Sequence, residues 1–236
     1  MQRKRLLKRL SLFIALFLVG YTAYAQDLVS IDIGDAKNTP GSTQIKNGTY
    51  TIKGAGHDIW DNADGFRFAY TKVSGNFEAV VRQVSIELPA EWSKGGVHAR
   101  QSVDAGAPNA QVIVTGGGGG GSQITWRAKA DAPSNEFLDV APGAWKDGES
   151  WLKLTREGDE LHGYISKDGK KWTDLQSTTV KMTDPILVGL AVCGLDNVAT
   201  AVYDNFTITQ NGKAIFPLAV DAGGKLATMW GEIKLR

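Results

Sequence analysis

The chain has 236 residues, 42% of them hydrophobic and 22% charged, with a formal net charge of +1. That hydrophobic share supports a folded core and argues against a disordered chain. The near balance of charge, with no basic run beyond the N-terminus, leaves no electrostatic footprint for nucleic acid.

An export signal is the first predicted element. Arg3, Lys4, Arg5, Lys8 and Arg9 form a basic head, Leu10 to Val19 an apolar stretch, and Ala23-Tyr24-Ala25 a small-residue cleavage site. This is the three-part pattern of a cleaved secretory signal. An uncleaved anchor is the alternative, disfavoured because the apolar stretch is short for a bilayer. Cleavage after Ala25 leaves 211 residues with no membrane span, carrying 21 Lys and Arg against 25 Asp and Glu. That length suits one sandwich or barrel domain, here placed at 26–210, with a C-terminal extension at 211–236.

From there the chain reads as short β-rich runs cut by Gly, Asn, Asp and Pro. Such spacing predicts an all-β sandwich. The runs are Gln44 to Lys53, Gly65 to Thr71, Asn76 to Ile86, Gly95 to Gln101, Ala110 to Thr115 and Gln123 to Ala128. They continue with Trp151 to Arg156, Leu161 to Lys167, Trp172 to Leu175, Ile186 to Cys193 and Ala199 to Thr209. Side-chain alternation puts Leu152 and Leu154 on one face. The same rule groups Val202, Asp204, Phe206 and Ile208 on one face and Tyr203, Asn205 and Thr207 on the other. Ile186 to Cys193 is apolar throughout and reads as a strand buried on both sides.

Turns are legible between the runs. Asn47-Gly48 suits a two-residue hairpin in which both central residues have φ > 0. Asp168-Gly169 predicts a second such hairpin before Trp172, and Asn211-Gly212 a further turn. Gly116 to Gly121 is six consecutive glycines. A phosphate loop needs a following Lys-Ser/Thr and a helix, whereas Ser122-Gln123-Ile124-Thr125-Trp126 reads as a strand. The run therefore predicts a connecting loop. The single cysteine, Cys193, excludes an internal disulfide and reads as a small buried hydrophobe. Beyond Asn211-Gly212, the apolar run Ala214 to Val220 and a tail bearing Met229 and Trp230 suggest an edge strand or a docked segment.

Several words of this sequence belong together. They are Asp58-Ile59-Trp60-Asp61-Asn62-Ala63-Asp64-Gly65-Phe66-Arg67-Phe68, then Trp92-Ser93-Lys94-Gly95-Gly96-Val97-His98-Ala99-Arg100. Trp151-Leu152-Lys153-Leu154-Thr155-Arg156, Tyr164-Ile165-Ser166-Lys167-Asp168-Gly169 and Val188-Gly189-Leu190-Ala191-Val192 follow. The succession resembles the concanavalin A-like lectin/glucanase superfamily. It is most similar to the laminin-G-like sandwich modules of secreted bacterial proteins, often appended to glycoside hydrolases. The resemblance covers roughly residues 28–210 and implies a jelly-roll of two antiparallel sheets. The glucanase branch carries Glu-x-Asp-x-x-Glu on one strand, which aligns an acid and a nucleophile. No such triplet occurs here.

The candidate chemistry is that of a binding site. Seven tryptophans are many for this length, and flat rings stack on sugar faces or pack in cores. Trp60, Trp92, Trp126 and Trp145 sit beside turns or loops, and the first three are taken as sugar-stacking candidates. Trp151 and Trp172 read as structural. His98 and Arg100 share one face of a strand and Arg127 follows Trp126. Together they offer hydrogen bonds to hydroxyls or a carboxylate, or form ion pairs on a solvated sheet. Asp58, Asp61 and Asp64 either cap their own turns or hold a structural calcium, with Asp204 from the last strand. The family resemblance is what suggests the calcium.

No Gly-x-Ser-x-Gly elbow and no His-Glu-x-x-His occurs. The expected function is an exported, non-catalytic carbohydrate-binding or adhesion module whose partner is a poly- or oligosaccharide. The alternatives are a glycan-processing hydrolase on the same fold and an envelope domain that binds a protein.

Overall fold

A computed structural model of the chain describes residues 28–117, 120–137, 141–142 (backbone only) and 150–216. The signal at 1–25, Trp145, part of the glycine run and the tail with Met229 and Trp230 lie outside the described residues.

Among the described residues eighteen strands follow in chain order. They begin with β1 Val29–Ile33, β2 Ser42–Lys46, β3 Thr49–Gly54, β4 Ile59–Trp60, β5 Ala63–Asp64 and β6 Phe66–Val73. Next come β7 Phe77–Ile86, β8 Lys94–Arg100, β9 Asn109–Thr115, β10 Gly121–Arg127, β11 Asn135–Glu136 and β12 Ala141–Pro142. The last six are β13 Ser150–Glu157, β14 Glu160–Ser166, β15 Thr173–Thr179, β16 Ile186–Cys193, β17 Ala199–Gln210 and β18 Lys213–Ala214.

Two antiparallel sheets are stacked. Sheet A runs β1-β6-β16-β8-β9-β10-β11, with β12 also on β10. Sheet B runs β15-β14-β13-β7-β17-β3-β2, with β18 on β17. The β4–β5 hairpin stands apart from both. The architecture is an all-β, two-sheet antiparallel sandwich, as the strand spacing predicts.

Alternation builds the core between the sheets. Val97 and Ala99 of β8, Val112 and Val114 of β9, and Ile124 of β10 meet Leu152 and Leu154 of β13 and Ala79 and Val81 of β7. Burying each large aliphatic side chain contributes about 1.5–3 kcal/mol. β16 lies between β6 and β8 and is buried along its whole length. Val188, Leu190 and Val192 face the main core, while Leu187, Ala191 and Cys193 join a second apolar cluster with Phe66, Phe68 and Tyr70 on the far side of sheet A. Burial pushes the Cys193 thiol up to about 12, so it is inert at neutral pH.

The Asn47-Gly48 turn has both residues at positive φ, 50° and 74°, and pairs Lys46 with Thr49. Asn211-Gly212 does the same at 48° and 71°, and pairs Gln210 with Lys213. Two expectations are corrected. Asp168-Gly169 belongs to a longer loop between Ser166 and Thr173, where Asp168 accepts the amides of Lys170 and Lys171 at 2.8 Å. In β17 the pairing register shifts between Asp204 and Thr207, with Asn205 at φ 51°. A bulge inserts an unpaired residue and resets alternation. Tyr203, Phe206 and Ile208 therefore all face the core, while Asp204 faces outward.

The described start of the extension docks on the sandwich. Phe216 is buried against Phe206 and Tyr50, with ring centroids 5.1 and 6.4 Å away. No helix among the described residues is long and apolar enough to cross a membrane.

Candidate functional site

On sheet A the side chains that point away from the core form a polar floor. Alternation sends Lys94, His98 and Arg100 of β8 to this face, with Asn109, Gln111, Ile113 and Thr115 of β9 and Gln123, Thr125 and Arg127 of β10. Part of the floor lies open as a cleft of about 280 Å³. Its base is Lys94, Ile113, Gln123 and Thr125, and its walls are Asp58, Trp60, Trp92 and Glu136.

Each wall arrives from a different segment. Trp60 ends β4, with Lys94 Nζ 6.0 Å above its ring. Asp58 accepts Lys94 Nζ at 2.5 Å and the Ile59 amide at 2.6 Å, both on Oδ1. Glu136 comes from the two-residue β11 and accepts a short hydrogen bond from Gln123 Nε2. Trp92 lies on the β7–β8 loop and is 38% exposed. Its indole rests on Gly117, where an added Cβ would meet the ring at 2.1 Å. Glycine is needed there for close approach.

The remaining expected ligand residues lie beneath the surface. Arg100 and Arg127 are fully buried and share one carboxylate, Asp64, itself 2% exposed. Arg127 holds Asp64 with both terminal nitrogens, at 2.8 and 2.6 Å, and Arg100 adds a bond at 3.0 Å. Backbone carbonyls share the second positive charge. Arg127 donates to those of Trp60 at 2.8 Å, Asp61 at 2.9 Å and Ala132 at 3.0 Å. Arg100 donates to those of Ser102 at 2.6 Å and Asp104 at 2.5 Å. A buried charge needs such partners to be tolerated. The cluster ties the β4–β5 hairpin and its neighbouring loops to the sheet, and so fixes the backbone that carries Trp60.

His98 is buried against Phe66 and Phe68, with centroids at 5.1 and 5.3 Å. Its Nδ1 meets Gln111 Oε1 at 3.0 Å and its Nε2 meets Arg100 Nη1 at 3.3 Å. These partners assign the neutral Nδ1–H tautomer, because Arg100 donates only. Burial, and then the Arg100 charge, hold His98 well below its ordinary value. Gln111 Nε2 passes the chain on to Thr125 Oγ1 at 3.0 Å. Among the described residues no acceptor is placed for the Thr125 hydroxyl proton.

Trp126 faces the opposite way. It packs on the main core with Phe137, centroids 4.7 Å apart, because it is one residue out of phase with Thr125 and Arg127. It does not line the cleft.

The four aspartates considered for calcium do not converge. Arg100 and Arg127 take up Asp64, and Lys94 takes up Asp58. Asp204 pairs with Arg82 on the outer face of sheet B. Asp61 is a left-handed turn residue, φ 43°, whose carbonyl serves Arg127 and Ser134. Calcium requires six to eight oxygen ligands, and cations already hold three of the four carboxylates, those of Asp58, Asp64 and Asp204. Among the described residues no group of three acidic, His or Cys side chains is placed to hold a metal. These residues do not fit a calcium site.

Of the residues proposed from sequence, the cleft brings together Trp60, Trp92 and Asp58. Lys94, Gln123, Thr125 and Glu136 are additions. Alternation backward from Arg127 reaches Thr125 and Gln123, and backward from His98 it reaches Lys94. No local signal points to Glu136, which arrives on a separate strand.

No protein-family model and no curated protein sequence matches the chain. Solved structures do. A functionally unknown protein from Saccharomyces cerevisiae superposes with TM-score 0.63 at 17% identity, over 79% of this chain and 98% of that one. The GH43 protein BlXynB from Bacillus licheniformis gives 0.50 at 13%, over 67% of this chain and 33% of that one. This chain thus matches about a third of that protein. A legume lectin-like domain from Entamoeba histolytica gives 0.49 at 11%, over 79% and 91%. At these identities the likeness is one of fold, and fold does not dictate activity.

Proposed function

We propose that this protein is an exported, non-catalytic carbohydrate-binding module whose glycan seats in the sheet A cleft. One observation carries the reading: two tryptophans, Trp60 and Trp92, flank a cleft with a polar floor. Flat rings cover the apolar faces of a sugar while floor groups meet its hydroxyls. The basic head and apolar stretch at 1–25 support export. The finer likeness to laminin-G-like modules belongs to the same proposal.

A glycoside-acting hydrolase is the second reading, favoured by two carboxylates, Asp58 and Glu136, in one cleft. Each is already engaged, Asp58 by Lys94 and Glu136 by Gln123. That suits binding better than proton transfer.

Isothermal titration against soluble plant and algal polysaccharides tests both readings. Binding that Trp60→Ala and Trp92→Ala each weaken, with no release of reducing sugar, supports the module. Because the aspartates do not fit calcium, a chelator leaves that binding unchanged. Release of sugar that Glu136→Gln stops would establish the hydrolase. Failure to bind any glycan would move the function to a protein partner.

A further inference from the structure

Gln123 is 3% exposed and lies on the cleft floor. Its Nε2 is committed to Glu136, yet its Oε1 is buried and has no hydrogen-bond partner among the described residues. A buried acceptor without a donor carries a desolvation cost that a ligand donor removes. The other cleft groups lean the same way. Asp58 receives both its donors on Oδ1, and Glu136 receives Gln123 on Oε2, so each keeps a second oxygen able to accept. Two carboxylates face one ammonium, that of Lys94, which is already bound to Asp58. Among the described residues the lining is acceptor-rich and net negative.

We infer that the cleft selects an uncharged, hydroxyl-rich glycan and that a sugar hydroxyl donates its proton to Gln123 Oε1. The inference rests on the reading of the cleft as a glycan site and names its substrate class. A sugar hydroxyl supplies the missing donor and accepts in turn from the Thr125 hydroxyl. Lys94 balances Asp58, so a uronate or sulfate ester meets the remaining charge of Glu136 and is repelled, which is how an unpaired charge enforces specificity.

The test titrates the exported protein with a mixed-linkage β-glucan, an arabinoxylan and a galactomannan, each beside its carboxymethylated derivative. At least one neutral polymer is expected to bind, and its carboxymethylated form at least tenfold more weakly. Gln123→Met keeps the side-chain length, removes the acceptor, and is expected to weaken neutral binding about tenfold. Its thermal unfolding is followed in parallel. Should Gln123→Met fail to fold, Glu136→Gln provides the second arm: by removing a cleft charge it narrows the gap between the neutral and carboxymethylated forms. Equal binding of the two forms, or full-strength neutral binding by a folded Gln123→Met, overturns the inference. In those cases Trp60→Ala and Trp92→Ala still report whether a glycan occupies the cleft. No binding by any of the six polymers overturns both the inference and the reading beneath it.

Discussion

On the outer face of sheet A, Trp60 and Trp92 flank open space. On the outer face of sheet B, Trp151, Tyr164 and Trp172 meet cations of the same chain. Arg82 sits 5.9 Å from the Trp151 ring, and Lys153 Nζ lies 4.6 Å from Tyr164 and 4.3 Å from Trp172. His162 stacks on Tyr164 at 4.3 Å and bonds Asp174 at 2.8 Å. Trp151 is directly opposite Arg82, and Lys153 directly opposite Tyr164. A strand-borne ring takes whatever the next strand places beside it. Trp126, also strand-borne, is placed by alternation in the core. Trp92 comes from a loop and Trp60 from a hairpin outside both sheets, so no ladder partner covers their outer faces. Strand pairing accounts for Trp151, Tyr164 and Trp126, whereas Trp172 stands just before β15 and is covered by Lys153 all the same. Lys94 lies 6.0 Å from the Trp60 ring, so it is the adjoining cleft, rather than a lack of neighbouring cations, that distinguishes Trp60 and Trp92.

The contrast is most exposed at its foundation. Asp64→Asn leaves Arg100 and Arg127 buried without their carboxylate and is expected to cost about 3–5 kcal/mol, read from urea unfolding. The same variant should loosen the β4–β5 hairpin and lose glycan binding beyond what its remaining folded fraction explains. Wild-type stability here would mean that the cluster does not hold the hairpin.

Exchanging the rings between faces gives the next largest effect. Trp92→Ala should weaken glycan binding at least tenfold, about 1.4 kcal/mol, whereas Trp151→Ala and Trp172→Ala should leave affinity unchanged. Gly117→Val, which drives a side chain into the Trp92 indole, should act like Trp92→Ala. Loss of binding in Trp151→Ala instead would transfer the site to sheet B.

A pH series sharpens the difference in burial. The folded His98 value lies well below that of the unfolded chain, with burial as the main cause. Its contribution to stability is full above the unfolded value of about 6.5 and declines as pH falls toward the folded value. The limiting slope is about 1.4 kcal/mol per pH unit. His98→Gln should flatten the unfolding free energy between pH 6.5 and 5. An unchanged slope would place its origin elsewhere.

The smallest effect belongs to sheet B. Arg82 and Asp204 are 36% and 22% exposed at their side chains, so Asp204→Ala should cost below about 1 kcal/mol and diminish further in high salt. A loss of several kcal/mol would show that this face also rests on a buried electrostatic frame.

Much of the fold is legible in local chemistry. Ile186–Cys193 reads as a doubly buried strand from its unbroken apolar run, and so it is. Asn47-Gly48 signals its hairpin because that turn demands left-handed residues. What is not legible involves elements too short to have a period. β4, β5 and β11 are two residues each, and they bring Trp60, Asp64 and Glu136 to the site region. The β17 bulge is equally silent, since nothing in Tyr203-Asp204-Asn205-Phe206 announces that two apolar residues three apart will share a face.

By itself the sequence determines the strand content, the Asn47-Gly48 and Asn211-Gly212 turns, the inert thiol and the excess of tryptophan, because each follows from neighbours along the chain. Only the tertiary structure decides which polar residues are free. Arg100, Arg127 and Asp64 read as ligand and metal residues because their charges are visible and their partners are not. Those partners lie 36 and 63 positions away and neutralise them under a hairpin. Gln123 reads only as the start of a strand and Glu136 carries no signal, until the packing of β10 and β11 leaves a buried, unpartnered acceptor on a residue that lines the cleft. Burial and pairing arise between segments distant in sequence, and they alone turn a charged residue into structure and an amide into a recognition group.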